Sequence, residues 1–371
     1  MPQKKHIAIL CGGQSAEHEV SIQSAKNIIQ ALDVNRYQIS TILITLQGEW
    51  LLLDSPAVIL NNPDMQPLPT PVAGQRLVFN FGSEHPLTVQ ASQAALAVDV
   101  IFPVLHGAHG EDGTLQGLLE LANIPYVGAG TLGSAVCMDK EVTKHLLMAA
   151  NIPVARWLTV RQLDLPNLNY DEVVAQLGSP LFVKPANTGS SVGVSKVKNR
   201  DDFAKALQLA QQYDRKIIIE EFIPGREIEC AVLGNEEPKA SLPGEIIPKH
   251  EFYSYEAKYL DPDGAELKMP ANLPAAAIAN IQDLAKRAFV VLGCSGMARV
   301  DFFFMQDGRA VLNEANTIPG FTQISMYPQM WVATGMTYSG LIDKLIELGL
   351  ERFEKERVLV LQSGVAARKG L

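Results

Sequence analysis

Arg299-Val-Asp301-Phe-Phe-Phe-Met-Gln-Asp307-Gly308-Arg-Ala-Val-Leu-Asn-Glu314-Ala-Asn316 reads as two β-runs on either side of Asp307-Gly308. That dipeptide is favoured in two-residue hairpin turns because both positions tolerate positive φ. With such a turn Gln306 pairs with Arg309, Asp301 faces Glu314 and Arg299 faces Asn316. Side chains alternate along a strand, so these four share one face while Val300, Phe302 and Phe304 occupy the other. Directly opposed residues have Cβ atoms about 4.5–5.5 Å apart, where two carboxylates repel unless something neutralises them. A bound cation does so. Two carboxylates and an amide oxygen form a hard oxygen set suited to Mg²⁺, which commonly takes one or two carboxylates plus substrate phosphates. Arg299 would then hold a phosphoryl group or a developing oxyanion. The competing reading is a solvated sheet face on which Arg299 simply pairs with Asp301.

A second run, Val183-Lys184-Pro185-Ala-Asn-Thr-Gly189-Ser190-Ser191-Val192-Gly193-Val-Ser-Lys196, places glycines where a tight backbone can surround phosphate oxygens with N–H groups. Lys184 supplies a point charge. The lysine precedes the glycines and strands follow, so this is no Walker loop but a hairpin flap over phosphates; alone it would be only a turn. In Ile217-Ile-Ile-Glu220-Glu221-Phe222-Ile223-Pro-Gly-Arg-Glu227 an apolar strand ends in acids and Pro-Gly, which suits a hinge where backbone and acids meet an adenine and a ribose. By itself it is an ordinary strand end. Gly128-Ala-Gly130-Thr-Leu-Gly133 matches the dinucleotide fingerprint literally, yet it closes the first domain and has no acid about 20 residues further on, which disfavours a dehydrogenase. Lys249-His-Glu-Phe-Tyr-Ser-Tyr-Glu-Ala-Lys258-Tyr259-Leu-Asp-Pro-Asp-Gly264 is charged and rich in turn residues, the character of an exposed loop and of a lid that keeps water from a hydrolysable intermediate.

The chain has 371 residues, more than one core usually serves, so two or three domains are expected. A net charge of −9 excludes a general affinity for nucleic acid or acidic lipid. Four cysteines without paired spacing fit buried thiols in a reducing compartment. The apolar run after Lys4-Lys5 stops at Gly12-Gly13, and no stretch approaches the roughly 20 apolar residues of a membrane span, so the expected location is cytoplasmic.

Residues 6–10, 39–46 and 98–105 read as strands, with Ser15 as N-cap of a helix to about residue 32 and helices at 113–122 and 132–150. The proline-rich stretch 60–71 reads as an irregular excursion, and 126–127 as a further strand of an open parallel α/β sheet. This gives a first domain over residues 1–129. Strands near 156–160, 181–185, 192–196 and 216–222 with a helix at 201–212 make a small α+β domain over 130–223. The remainder, 224–371, carries the metal hairpin, the lid, a helix at 275–292 and one near 341–351. A frayed terminal helix accounts for the tail after Arg352.

Taken in order, Gly12-Gly-Gln-Ser-Ala-Glu17-His-Glu-Val-Ser21, His106-Gly-Ala-His-Gly-Glu-Asp-Gly-Thr-Leu-Gln-Gly117, Met138-Asp-Lys140, Gly189-Ser-Ser-Val-Gly193, Tyr255-Glu-Ala-Lys258-Tyr259, Arg299-x-Asp301 and Glu314-Ala-Asn316-Thr-Ile-Pro-Gly320 resemble the ATP-grasp superfamily and, within it, the D-alanine:D-alanine ligases. The resemblance covers nearly the whole chain. It implies a three-domain ATP-grasp fold with ATP between the central and C-terminal domains, and a cytoplasmic homodimer that joins two D-alanine molecules for peptidoglycan precursors. Lys140, Lys184, Ser191 and Lys258 would then contact phosphates, Glu220 the adenine amino group, Glu221 and Ile223 the adenine through their backbone, and Glu227 the ribose. Asp301, Glu314 and Asn316 would bind two Mg²⁺ or Mn²⁺ ions. Glu17 would hold the ammonium of the first D-alanine, while Gly320 and Ser325 receive the carboxylate of the second. His106 would contact substrate or serve as a structural histidine. Tyr259 would hydrogen-bond towards Ser190 and Glu17, and a tyrosine there implies an amine acceptor, since related D-alanyl-D-lactate ligases carry a different residue. Two rival readings are an ATP-grasp ligase for another amino or hydroxy acid, which would differ at Glu17, Tyr259 or Ser325, and a non-catalytic nucleotide-binding regulator, which would lack a metal ligand or Arg299.

Overall fold

The computed structural model describes residues 4–249 and 264–369. Its first sheet runs, edge to edge, Leu87–Val89, Gly74–Phe79, Trp50–Leu53, Tyr37–Ile44, Lys5–Gly12 and Val100–Pro103. Lys5–Gly12 pairs in parallel with both of its neighbours, while the strands beyond Tyr37–Ile44 continue antiparallel. Ile7, Ile9 and Cys11 face one core and Ala8 and Leu10 another, the two-sided burial expected of parallel strands under helices. The carboxyl ends of Lys5–Gly12 and Val100–Pro103 point to the same edge, where ligands bind in open α/β sheets.

Two local differences from the sequence reading shape that edge. Ser15 does not cap the first helix: its Oγ accepts from Glu17 N–H at 3.2 Å, and the helix runs His18–Ala31 with Glu17 at its mouth. The expected single helix at 132–150 is two, Thr131–Met138 and Lys140–Ala149, broken where the Asp139 carboxylate accepts from Glu141 and Val142 N–H at 3.1 and 3.2 Å. The break puts Lys140 on the first turn of the second helix, with its N–H on Ala186 O at 3.1 Å.

The second sheet, Trp157–Arg161, Lys216–Glu221, Leu181–Pro185 and Ser195–Val197, is antiparallel and backed by helices Tyr170–Leu177 and Arg200–Ala210. The third runs Ala265–Lys268, Gly244–Pro248, Gly225–Gly234, Gly296–Met305 and Ala310–Asn316. Helix Ala275–Val291 covers one of its faces, packing Ile281, Leu284 and Phe289 on Ile228, Val300 and Phe302. The other face, with Ala231, Leu233 and Met297, shares a core with Ile7 and Ile9 of the first sheet. Glycine is required at the seam between Thr131–Met138 and the turn after Ala275–Val291, because a Cβ at Gly133 would fall 2.4 Å from Gly293 O. All four cysteines are free and buried, although Cys137 and Cys294 approach to 3.5 Å at that seam.

The decisive hairpin pairs Arg299 with Asn316 and Asp301 with Glu314, by a route the sequence did not disclose. Its loop has three residues, not two: Met305 N–H bonds Arg309 O at 2.8 Å and Gly308 takes φ +86°. A bulge at Asn313 then restores the register, since Phe302 pairs with Leu312 while Asp301 pairs with Glu314. Leu312 is also tied to the chain entering the second sheet through Pro153 O at 2.8 Å.

The terminal helix does not fray at Arg352 but spans Tyr338–Lys369. Arg352 anchors it, its guanidinium 4.3 Å from the Tyr126 ring centroid and 3.4 Å from Tyr126 O. Among the described residues no helix is long and apolar enough to cross a membrane.

Candidate active site

On the hairpin face, Arg299 donates to both Asp301 oxygens at 2.8 and 2.7 Å and lies 3.1 Å from Glu229, one strand away. Asn316 Nδ2 donates to Asp301 at 3.0 Å, and Lys140 Nζ approaches Glu314 at 3.8 Å. The Arg299–Asp301 pair of the competing reading is therefore formed, but the face is not solvated: the three side chains Arg299, Asp301 and Glu314 are 21%, 13% and 28% exposed. Burial acts to lower the Arg299 guanidinium, yet Asp301 and Glu229 outweigh it and raise the group well above its ordinary value. Three acids thus meet two cations in a half-buried cleft. Among the described residues no three His, Cys, Asp or Glu side chains converge on a point that could cage a metal. Two opposed carboxylates and an amide nonetheless fit a divalent ion that takes its remaining oxygens from bound phosphates.

Behind this face stands a second charged group. Glu220, buried, lies between two lysines: Lys144 Nζ donates to it at 2.5 Å and Lys184 Nζ contacts its other oxygen. Burial alone would push the Glu220 carboxyl up, but Lys144 and Lys184 hold it at about 2. The Glu221 carboxylate is taken by Arg156, whose backbone N–H donates at 2.8 Å and guanidinium at 2.7 Å. Ile223 lies in the short link to Gly225–Gly234, and Glu227 on that strand pairs with Ile246 and Phe303. The Phe222 ring lies tilted against Phe182, centroids 6.2 Å apart, and carries Lys196 Nζ 4.7 Å from its centroid.

The flap between Leu181–Pro185 and Ser195–Val197 holds Ser190 at φ +49° and Ser191 at φ +60°. Left-handed backbone at a non-glycine residue costs about 1–3 kcal/mol and needs local support. Ser190 Oγ donates to Glu17, Thr188 Oγ1 to Val192 O at 3.1 Å, and Lys140 Nζ to Thr188 O at 2.7 Å, which tie the loop down on both sides. On the far side of Glu17, His106 is buried with Nδ1 3.1 Å from Ile318 O and Nε2 3.5 Å from Ser24 Oγ. Burial holds its ring below the ordinary histidine value, and its contacts are those of a structural support. Ser325 Oγ accepts from Thr322 N–H at 2.9 Å, and a Cβ on Gly320 would sit 2.8 Å from it. Lys258 and Tyr259 lie outside the described residues.

Family models described as D-ala D-ala ligase N-terminus and D-ala D-ala ligase C-terminus match residues 6–129 and 146–347. The chain belongs to the D-Ala-D-Ala ligase family. It is 48% identical over 358 residues to the D-alanine--D-alanine ligase of Oceanobacillus iheyensis, a match spanning 96% of this chain and 98% of that one. The solved D-alanine-D-alanine ligase of Coxiella burnetii superposes with a TM-score of 0.88 at 43% identity, covering 98% of this chain and 99% of that one. A D-Ala:D-Ser ligase from Enterococcus faecalis gives 0.84 at 40% identity, covering 94% and 100%. D-Ala-D-Ala ligases are ATP-grasp enzymes, so the expected fold class is the one present.

Within this ligase fold, Lys144 is a site residue the sequence reading missed. A usable signal was there: Lys140 and Lys144 are four apart and share one face of helix Lys140–Ala149, so both point off that helix to the same side, Lys140 reaching Glu314 and Lys144 reaching Glu220. A surface cavity of about 430 Å³ is lined by Asn27, Gln30, Gln323, Gln329 and Tyr338 among others, with no Asp, Glu, Lys, Arg or His in its lining.

Proposed function

We propose that the chain joins two D-alanine molecules into D-alanyl-D-alanine, converting ATP to ADP and phosphate, to supply peptidoglycan precursors. The observation that carries this reading is the Asp301–Glu314 pair, opposed across one ladder beside Arg299 and Lys140. A flap bonded to Glu17 bounds the same cleft.

A carboxylate is a poor electrophile, so the first D-alanine must be activated: one of its oxygens attacks the γ-phosphorus of ATP, ADP leaves, and an acyl phosphate forms. Lys140 and Lys184 screen the repulsion between the two anions, and Ser191 meets the nucleotide phosphates. Glu220, the Glu221 and Ile223 backbone and Glu227 hold adenine and ribose. Glu17 keeps the first ammonium in place through charge and through its link to Ser190. Asp301, Glu314 and Asn316 would hold two Mg²⁺ or Mn²⁺ ions, which when bound neutralise phosphate charge. The second amine, after losing a proton, attacks the acyl carbon; the carbon–oxygen bond to phosphate breaks and the peptide bond forms. Arg299 stabilises the oxyanion of that tetrahedral step. Gly320 and Ser325 receive the second carboxylate, Lys258 serves the γ-phosphate, and a tyrosine at position 259 fits an amine acceptor. Residues 1–129, 130–223 and 224–371 act as three domains, a division supported by three sheets whose strands fall one set within each.

Product analysis with D-alanine alone and with added D-serine or D-lactate, alongside ADP release, tests this. D-alanyl-D-alanine as the main product is expected. No ADP release with D-alanine and Mg²⁺ rejects the reading, and a dominant D-serine product reassigns the acceptor. A further expectation concerns the carboxylate subsite. Gly320→Ala places a methyl against Ser325 Oγ, and such overpacking should weaken D-alanine saturation about tenfold while ATP saturation holds.

A further inference from the structure

The loop that follows Val100–Pro103 reaches the segment 318–325 at a single residue, Ile318. Glu111 accepts from Gly107 N–H at 2.8 Å with one carboxyl oxygen and from Ile318 N–H at 3.3 Å with the other, while His106 Nδ1 lies 3.1 Å from Ile318 O. Ile318, 2% exposed, is therefore held at both its N–H and its C=O by side chains from the first sheet's edge. Three residues on, Ser24 Oγ accepts from Phe321 N–H at 3.1 Å and Asn27 Nδ2 donates to Phe321 O at 3.0 Å. Ser24 and Asn27 stand on the helix whose mouth is Glu17. Gly320 lies between these two anchored residues. At the other end, Gly107 is so close to Glu17 that a Cβ there would lie 3.2 Å from Glu17 Oε2.

We infer that Glu111 is a positioning residue: by gripping Gly107 and Ile318 together, it fixes the separation between the first-alanine subsite at Glu17 and the second-alanine subsite at Gly320 and Ser325. This inference rests on the proposed ligase reading. A carboxyl group, charged or protonated, offers an acceptor lone pair on each oxygen, so it can serve two backbone N–H donors at once. An amide of the same shape has one acceptor oxygen and turns an NH₂ towards the other donor. Burial, with Glu17 nearby, pushes the Glu111 carboxyl up to about 8. Near neutral pH, Glu111→Gln thus changes the hydrogen-bond pattern more than the net charge, and it must release one of the two peptides.

The test is Glu111→Gln read three ways: the D-alanine saturation curve with its two sites as separate terms, the KM for ATP, and backbone hydrogen exchange over residues 316–322. Releasing a buried donor should raise the second-site KM about tenfold or more, leave the first-site and ATP values within about twofold, and speed exchange at Ile318. Ser24→Ala frees the neighbouring Phe321 N–H and should give the same split, which covers the case in which Glu111→Gln does not fold. Unchanged constants with unchanged exchange overturn the inference, as does a uniform fall in activity and stability without a split between the two D-alanine sites. A wild-type protein that releases no ADP with D-alanine defeats the ligase reading instead, and the exchange measurement still decides the clamp.

Discussion

Glu220→Gln is expected to lower the thermal midpoint by roughly 10 °C, because removing one partner of a buried ion pair costs about 3–5 kcal/mol. Lys144 is 1% exposed and would lose its anionic partner, left as a buried cation beside Ala155 O at 3.4 Å and the Trp157 ring, whose centroid is 5.6 Å away. Lys184, 12% exposed, can turn towards water. The double variant Glu220→Gln, Lys144→Met removes the stranded charge and should recover part of the loss, a non-additivity that thermal unfolding detects directly. The pH dependence has a fixed sign. The Glu220 carboxyl is held at about 2 against an ordinary 4.5, so the stability it supplies is complete above 4.5 and is lost as pH falls towards 2. In Glu220→Gln that part of the acid slope should vanish.

Arg299→Lys should reduce kcat by about 10²–10³ while leaving the fold intact, the loss seen when one oxyanion donor is removed from a dry site. Lysine keeps a positive charge beside Asp301 and Glu229, so no buried acid is stranded, but it cannot reproduce the two-pronged contact that Arg299 makes with Asp301 at 2.8 and 2.7 Å. If Arg299 acts on the transition state, kcat and kcat/KM fall together with little change in KM. A rise in KM for ATP with kcat preserved would move Arg299 from the oxyanion to ground-state nucleotide binding.

The opposed acids were legible in the sequence because a turn dipeptide and the alternation of Val300, Phe302 and Phe304 define both the bend and the faces. The pairing of Asp301 with Glu314 nevertheless depends on two features that cancel: a loop one residue longer than Asp307-Gly308 suggests, and the bulge at Asn313. Neither has a local signature. Leu312 is tied to Pro153, about 160 residues away in sequence, and a long-range contact of that kind is invisible to a local pattern. Asp139 did carry a cap signal, but it was buried in a run of good helix formers, so residues 132–150 read as one helix. Lys144 was hidden for a related reason, since a lysine on an otherwise mixed helix reads as surface until its partner strand is known. The terminal helix outran its reading because Arg352 is secured by Tyr126, in a different part of the chain.

The proposed chemistry depends most directly on the hairpin acids holding the nucleotide's metal. Mn²⁺ bound in the presence of ATP, counted by electron paramagnetic resonance, should reach two ions per chain in the wild type and fall with at least a tenfold loss of affinity in Asp301→Asn and in Glu314→Gln. Equal Mn²⁺ binding in all three proteins would contradict it.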